Sequence, residues 1–280
     1  MTPTPTADYL SFILSFPHIP PLSVFALFFL TLIRIVPIVS FVPFLGARLP
    51  AAVKMAVALA LTAIMLPQVM LTTKHAISFN TDYIGYLLKD FFIGTILAFM
   101  ASIPFFIAQS SGVLIDFLRG SSSLQVNDPS TQTQASPIGL LYNYVLIVLF
   151  FEINGPFIFF EGLAQSYKLI PADGVLNAAF FSASIPFWHT IMHLLTTFTA
   201  LAMQLAAPSL VAILMAEMFL GIANRLAPQV QIAFLGMSIK SLLGIALLFA
   251  GWYFILQQMG KQSLLWLQQL NDILNTMQVR

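Results

Sequence analysis

Apolar residues fill most of the chain in long runs, and a few charged residues and prolines divide them. Taken in order, the runs extend from just after Pro20 and Pro21 to about Pro43, and then over 55–73, 91–115, about 138–160, 174–216 and 241–260. A helix that spans a bilayer needs about 20 apolar residues. The run over 174–216 is long enough for two passes or one bent hairpin, so the pattern predicts about six membrane passes.

Prolines lie inside most of these runs, at Pro37, Pro67 and Pro104, and the segment 152–156 carries Glu, Asn, Gly and Pro. A proline removes a backbone hydrogen bond and kinks or ends a helix, and beside lipid that bond must be replaced. Two interpretations follow: ordinary kinked membrane helices, or broken helices packed in a protein assembly. In either case we expect an all-α polytopic membrane protein built from broken, kinked helical hairpins.

Composition supports a membrane location and excludes several classes of function. The chain is 59% hydrophobic and 8% charged, whereas soluble domains carry about 25% charged residues. A net charge of +1 and the lack of a basic cluster argue against nucleic-acid binding. Cysteine is absent, which excludes disulfides and thiolate chemistry. Lysine and arginine do not fix the orientation, because alternate loops hold similar numbers of them.

The sequence predicts no cofactor, no metal site and no enzymatic activity. His189 and His193 have a spacing that suits a metal pair on one helix face, but no third ligand lies nearby. No Gly-x-Ser-x-Gly elbow and no glycine-rich phosphate loop is present.

Polar residues concentrate in two places. Residues 120–137 form the most polar internal stretch, following Asp116 and Arg119, which are three apart and would share a helix face. This stretch is either a solvent loop or the lining of an aqueous passage, and composition alone favours the solvent loop. Residues 217–240 hold an acid, an arginine and amides within apolar sequence, where ionisable groups are costly and usually paired. We treat 1–280 as a single membrane domain, with an N-terminal segment over 1–20 and an amphipathic tail over 261–280.

Three blocks of motifs cover about residues 25–260. The blocks are Leu-Ile-Arg-Ile-Val-Pro at 32–37 with Pro-Phe-Leu-Gly at 43–46, Arg48, Pro50, Val53 and Lys54; Ala-Gln-Ser-Ser-Gly at 108–112 with Asp116, Gly120, Asp-Pro at 128–129 and Ser-Pro at 136–137; and Pro208, Glu217, Gly221, Asn-Arg-Leu-Ala-Pro-Gln at 224–229, Phe234, Gly236 and Lys240. The third block is the most specific. Together the three blocks resemble one known family, the T-component of the type III secretion export apparatus (FliR/SctT).

The resemblance implies a subunit of a helical export gate in the bacterial inner membrane, through which unfolded proteins leave the cell. Its partners would be R-type and S-type subunits, with U-type and V-type components beside them, the exported chains and membrane lipid. A separate ATPase and the proton gradient would supply the energy. The form of residues 239–241 and the position of Glu217 favour the injectisome branch over the flagellar one.

The resemblance also assigns roles to residues. The stretch 120–137 would be a plug in the closed channel, with Gln125, Asn127, Asp128, Pro129 and Gln132 as its polar core. Contacts between helices or subunits would involve Arg34, Lys54, Asp116, Arg119, Glu217, Asn224, Arg225, Pro228, Gln229 and Lys240. The alternative is a stand-alone secondary transporter for a small solute, with Arg34 or Arg225 as a counter-charge at a broken helix.

Overall fold

The computed structural model describes residues 20–46, 49–120, 136–174, 186–226 and 232–276. Every regular element in these ranges is a helix, which confirms the predicted all-α fold there. The α-helices are α1 (Pro21–Phe41), α2 (Ala51–Thr72), α3 (Thr81–Leu118), α4 (Pro137–Glu152), α5 (Gly155–Leu169), α6 (Pro186–Leu226), α7 (Ile232–Ala250) and α8 (Trp252–Thr276), and a short 3-10 helix covers Pro43–Leu45.

The chain divides into two compact units that alternate along the sequence. The first unit contains 1–102, 156–190 and 268–280, and the second contains 103–155 and 191–267. The chain passes from the first unit to the second within α3, next to Pro104.

In the first unit, α1 packs against α2 and buries a face formed by Leu27, Leu30, Ile35 and Ile38. These positions recur at helical spacing, which places them on one side of α1. Helix α3 comes very close to the α1 backbone at Gly94. A Cβ atom added there would lie 2.2 Å from a carbonyl oxygen of α1, so only glycine fits this crossing.

The second unit has a similar close crossing between α3 and α4. A Cβ atom on Gly112 would lie 2.5 Å from the Cα atom of Gly139. The rings of Phe105 in α3 and Phe150 in α4 also meet edge to face, with centroids 5.4 Å apart. The glycine pair brings the last turns of α3 next to the start of α4, and the phenylalanine pair joins the middle of α3 to the last turn of α4.

The predicted interruption at 152–156 is confirmed, because α4 ends at Glu152 and α5 begins at Gly155. Asn154 in the gap has φ of 57°, a left-handed conformation that asparagine tolerates better than most residues. The pattern of the apolar run over 241–260 suggests one helix, but the structure has two. It breaks at Gly251, and the helices on either side meet at 63°.

The helices have the length and composition of membrane spans. Within the described residues, Pro21–Phe41, Ala51–Thr72, Thr81–Leu118 and Leu195–Leu226 are each long and apolar enough to cross a bilayer. Two broken pairs, α4 with α5 and α7 with α8, raise the count to 6 if each pair forms one span. The predicted number of passes is therefore reached only when both broken pairs are counted.

Candidate functional site

Arg34 forms a fully buried ion pair with Asp90 in the first unit. Its Nε atom donates to Asp90 Oδ1 at 3.0 Å, a terminal nitrogen donates to the same oxygen, and both side chains are 0% exposed. The other donors of Arg34 reach the backbone oxygen of Ile170 at 3.0 Å and the hydroxyl of Ser166 at 3.4 Å. Its guanidinium also lies 4.0 Å from the ring centre of Tyr167. Buried charges are stable only when paired and hydrogen-bonded in this way.

Lys89 adds a second buried cation to the same cluster. Its ammonium group donates to the carbonyl oxygens of Pro171, Ala172 and Gly174 at 2.8, 2.8 and 2.9 Å and lies 3.8 Å from Asp90 Oδ1. These carbonyls follow the C-terminus of α5, where oxygens lack partners within the helix and the helix dipole is negative. The two cations therefore fix the end of α5 against α1 and α3.

Asp173 joins the same turn to the loop after α2. Its Oδ2 atom accepts the backbone N–H groups of Lys74 and His75, each at 3.0 Å, and lies 3.1 Å from the ring nitrogen Nδ1 of His75. Burial by itself would raise the pKa of Asp173, but these hydrogen bonds outweigh it and hold the pKa below its ordinary value. The carboxylate thus remains charged and keeps the two loops together.

Asp116 performs a comparable task in the second unit. Its Oδ2 atom accepts the backbone N–H of Ile138 at 2.9 Å and the hydroxyl of Ser136. Arg119 neutralises the other oxygen at 2.7 Å. The Ser136 hydroxyl in turn accepts the N–H of Gly139 at 2.9 Å and is the N-cap of α4.

The charged residues near 217–240 lie at the surface of the second unit. Lys240 and Glu217 form an ion pair of 2.6 Å between α7 and α6, with the glutamate side chain 53% exposed. Asn224 and Arg225 are both exposed at the end of α6. No hydrogen bond or ion pair joins Arg225 to another residue in the described ranges.

Lys54 has a local contact at the end of α1. It is partly buried, and its ammonium group donates to the carbonyl oxygen of Ser40 at 3.4 Å. A cation is favourable at a helix C-terminus, where carbonyls are unpaired. The remaining predicted residues, Gln125, Asn127, Asp128, Pro129, Gln132, Pro228 and Gln229, lie outside the described residues.

The second unit also exposes a broad apolar surface along α6 and α7. Its exposed side chains include Met218, Phe219, Leu226, Leu242 and Phe249, which are 70–82% exposed. A groove of about 370 Å³ opens in this surface and is lined by Ala212, Met215, Ala216, Phe219, Leu220, Ile239 and Leu243. Soluble monomers rarely expose patches of this kind, so lipid or other protein covers this face.

Sequence reasoning missed three charged side chains that join the elements of the first unit: Lys89, Asp90 and Asp173. Lys89 and Asp90 lie immediately before the apolar run that begins at 91, a position that is typical of the end of a membrane span rather than of a buried ion pair. A signal was present, since Arg34 inside an apolar helix requires a counter-charge. Among the described residues, no group of three or more His, Cys, Asp or Glu side chains could hold a metal ion.

Comparison with known proteins identifies the family. A sequence profile described as bacterial export proteins, family 1, matches residues 25–264. The Yop proteins translocation protein T of Yersinia pestis is 32% identical over 161 residues, which cover 57% of this chain and 60% of that protein. The chain thus matches less than two thirds of the Yersinia protein's length. The resemblance read from the three motif blocks is confirmed, because the profile match contains all of them.

Two further relatives align over more of their length. The surface presentation of antigens protein SpaR of Shigella flexneri is 27% identical over 225 residues, with 77% of this chain and 81% of that protein covered. The flagellar biosynthetic protein FliR of Escherichia coli strain K12 is 25% identical over 231 residues, with 80% and 83% covered. These names support an export function over a stand-alone solute transporter.

Proposed function

The chain belongs to the bacterial export proteins, family 1, and on that basis we propose that it is the T-type subunit of a type III export gate. The gate lies in the bacterial inner membrane and passes unfolded proteins outward. The observation that carries this proposal is the family match over residues 25–264. The role is mechanical: the chain helps to form and close a channel and performs no catalysis.

The partners that best fit the apolar surface are the R-type and S-type subunits, with the U-type and V-type components beside them. The exposed face of α6 and α7 carries large apolar side chains and a groove between them. Side chains of neighbouring helices would fill such a groove better than mobile lipid chains, because close packing of helices in membranes depends on complementary surfaces. Lipid would cover the parts of this face that the subunits leave open.

Arg225 is the polar anchor that we assign to this interface. It is exposed in the last turn of α6 beside Leu226, which is 81% exposed. Arginine is favoured at interfaces, since its planar fork pairs with carboxylates and its stem covers apolar surface. The expected partner is an acidic or carbonyl group on an adjoining subunit.

Co-purification tests this assignment. The chain would be co-expressed with its R-type and S-type subunits, extracted in detergent and captured by a tag on the R-type subunit. Arg225→Ala should lower the captured amount severalfold. Lys168→Ala is the matched control, because Lys168 is also an exposed base in the last turn of a helix, α5. Equal capture of both variants would reject Arg225 as an interface residue.

The polar stretch 120–137 is proposed as the plug of the closed channel, with Gln125, Asn127, Asp128, Pro129 and Gln132 as the residues that block it. Amide and carboxylate groups can form hydrogen bonds with each other and with water inside a closed channel. The same groups can exchange these bonds when the channel opens to admit a polypeptide. Near the two ends of this stretch, Asp116 in the last turn of α3 accepts hydrogen bonds from the hydroxyl of Ser136 and from the N–H of Ile138.

Deletion of 122–134 should raise the passage of small ions in resting cells that contain the complete gate. The complex should still form, since the deleted residues lie outside the helices that carry the apolar surface. A flux equal to that of the intact gate, at equal complex yield, would reject the plug. The injectisome branch is proposed from Glu217 and residues 239–241. It predicts that an injectisome gate, rather than a flagellar gate, incorporates this chain.

A further inference from the structure

A second groove of the second unit, between α6 and α8, has a polar side and an apolar floor. Its volume is about 390 Å³. The floor contains Leu205 and Ile255, each 4% exposed. The polar side consists of exposed amide and ammonium side chains, those of Gln204, Gln257, Gln258 and Lys261. We call this site the amide groove.

The sequence of α8 places its part of the groove on one helix face. Gln257, Gln258 and Lys261 lie three, four and seven residues after Phe254, which is the repeat of a single face. Phe254 lines the groove and is 71% exposed, so it extends the apolar floor outward. The groove therefore offers hydrogen-bond donors and an apolar wall side by side, as an amphipathic ligand requires.

Lys261 gives the amide groove a positive charge that nothing in the groove neutralises. No acidic side chain is among the described residues that line it. Within the described ranges, neither Lys261 nor the three glutamine side chains form a hydrogen bond or an ion pair. An ammonium group has three donors and each amide has two. Several free donors around one cation favour an anion with several acceptor oxygens, such as a phosphate group.

Pro208 provides an acceptor next to these donors. It lies inside α6 and lines the groove. A proline has no N–H group for the carbonyl four residues before it, which here is the carbonyl of Gln204. The oxygen of Gln204 therefore lacks its usual donor within the helix and can accept a hydrogen bond from a hydroxyl group of a ligand.

The amide groove lies at one end of a mostly apolar stretch of α6 whose length matches a bilayer. From Pro208 to Arg225 the helix rises about 26 Å at 1.5 Å per residue, close to the hydrocarbon thickness of about 30 Å. The helix is apolar enough to cross a bilayer over Leu195–Leu226, and the acid inside the stretch, Glu217, is paired with Lys240. With Arg225 at one membrane boundary, the groove lies at the other, at the depth of the lipid headgroups.

We propose that the amide groove binds an anionic phospholipid. Lys261 and the glutamine amides hold its phosphate, and the carbonyl oxygen of Gln204 accepts a headgroup hydroxyl. An acyl chain lies along Leu205, Phe254 and Ile255. Phosphatidylglycerol combines these groups. Phosphatidylethanolamine fits less well, because its ammonium group would approach Lys261 and would find no carboxylate in the groove.

Native mass spectrometry of the full-length chain, extracted from bilayers with equal amounts of phosphatidylglycerol and phosphatidylethanolamine, measures which lipid stays bound. The unmodified chain should retain phosphatidylglycerol preferentially. Lys261→Gln should lower the retained phosphatidylglycerol about fivefold, since one base contributes about that factor to binding at an anionic surface. Lys261→Arg keeps the charge and should retain the lipid. Lys168→Gln is the matched control, because Lys168 is also an exposed base on a helix but lies outside the groove.

Equal retention of both lipids would overturn the proposal, and so would equal retention of phosphatidylglycerol by Lys261→Gln and Lys168→Gln. Release of the lipid by excess inorganic phosphate would also overturn it, because a ligand that free phosphate replaces does not use the apolar floor. Loss of the lipid when the chain is extracted together with R-type and S-type subunits would show that protein covers the groove, which is a third contrary result. The first two measurements use the chain alone, so a failure of the proposed export role would leave them unaffected.

Discussion

Replacing Asp90 by asparagine should destabilise the first unit strongly, because it leaves two buried cations without their counter-charge. Asp90 Oδ1 accepts two N–H groups of Arg34, and Lys89 lies 3.8 Å away. All three side chains are at most 5% exposed. In Asp90→Asn the shape and one acceptor oxygen remain, so the change isolates the missing negative charge.

The magnitude follows from this burial. Removing one partner of a buried ion pair costs about 3–5 kcal/mol, since the remaining charge is desolvated without compensation. The carbonyls of Ile170, Pro171, Ala172 and Gly174 still contact the two cations, which places the expected loss near the lower end. At about 2–4 °C per kcal/mol for a chain of this size class, Tm should fall by on the order of 10 °C.

Thermal unfolding of the detergent-extracted chain, followed by tryptophan fluorescence, measures this loss. Asp82→Asn is the control, because Asp82 is exposed in the first turn of α3 and should cost less than about 1 kcal/mol. If Asp90→Asn melts together with Asp82→Asn, the Arg34–Asp90 pair is not the contact that holds α1, α3 and α5 together, and the reasoning fails.

Three further predictions concern separate contacts. Gly94→Ala should lower the free energy of unfolding by about 1–3 kcal/mol, because the new Cβ atom would meet the α1 backbone at 2.2 Å. A Cβ atom at Gly221 has nothing within 4 Å, so Gly221→Ala should stabilise the exposed helix by about 0.5–1 kcal/mol. Equal Tm shifts of the two variants would contradict both predictions. The pKa of Asp173 is lowered on folding, so its contribution should be complete above the ordinary aspartate pKa of about 3.9 and vanish as pH falls through the lower folded value. The Tm difference between wild type and Asp173→Asn should therefore shrink between pH 6 and pH 3, and a constant difference would refute this. Glu217→Gln should lower the free energy of unfolding of the isolated chain by less than about 1 kcal/mol, and only at low salt, since its pair with Lys240 is exposed. A larger loss of stability in thermal unfolding that persists at high salt would contradict this prediction.

The sequence predicted the helical class and the break at 152–156, because each depends on local features. Long apolar runs locate helices such as α1 and α2. The charged and turn-forming residues at 152–156 locate a break, and their effect does not depend on distant residues. The break at Gly251 was not predicted, since a single glycine in an apolar run is compatible with a continuous helix.

The pairing of the buried charges depended on the tertiary structure. Arg34 in an apolar helix indicates that a partner exists, but its partner Asp90 lies 56 residues away, and the partners of Asp173 lie 98 and 99 residues away. Such pairs form only where helices approach closely, as they do at Gly94 and Gly112. The sequence by itself predicted an all-α membrane protein with costly polar groups, and its motif blocks resembled the export family that the profile match over residues 25–264 confirms. The packing of its helices decided which of those groups meet, because an ion in an apolar medium is stabilised only by groups within hydrogen-bonding distance.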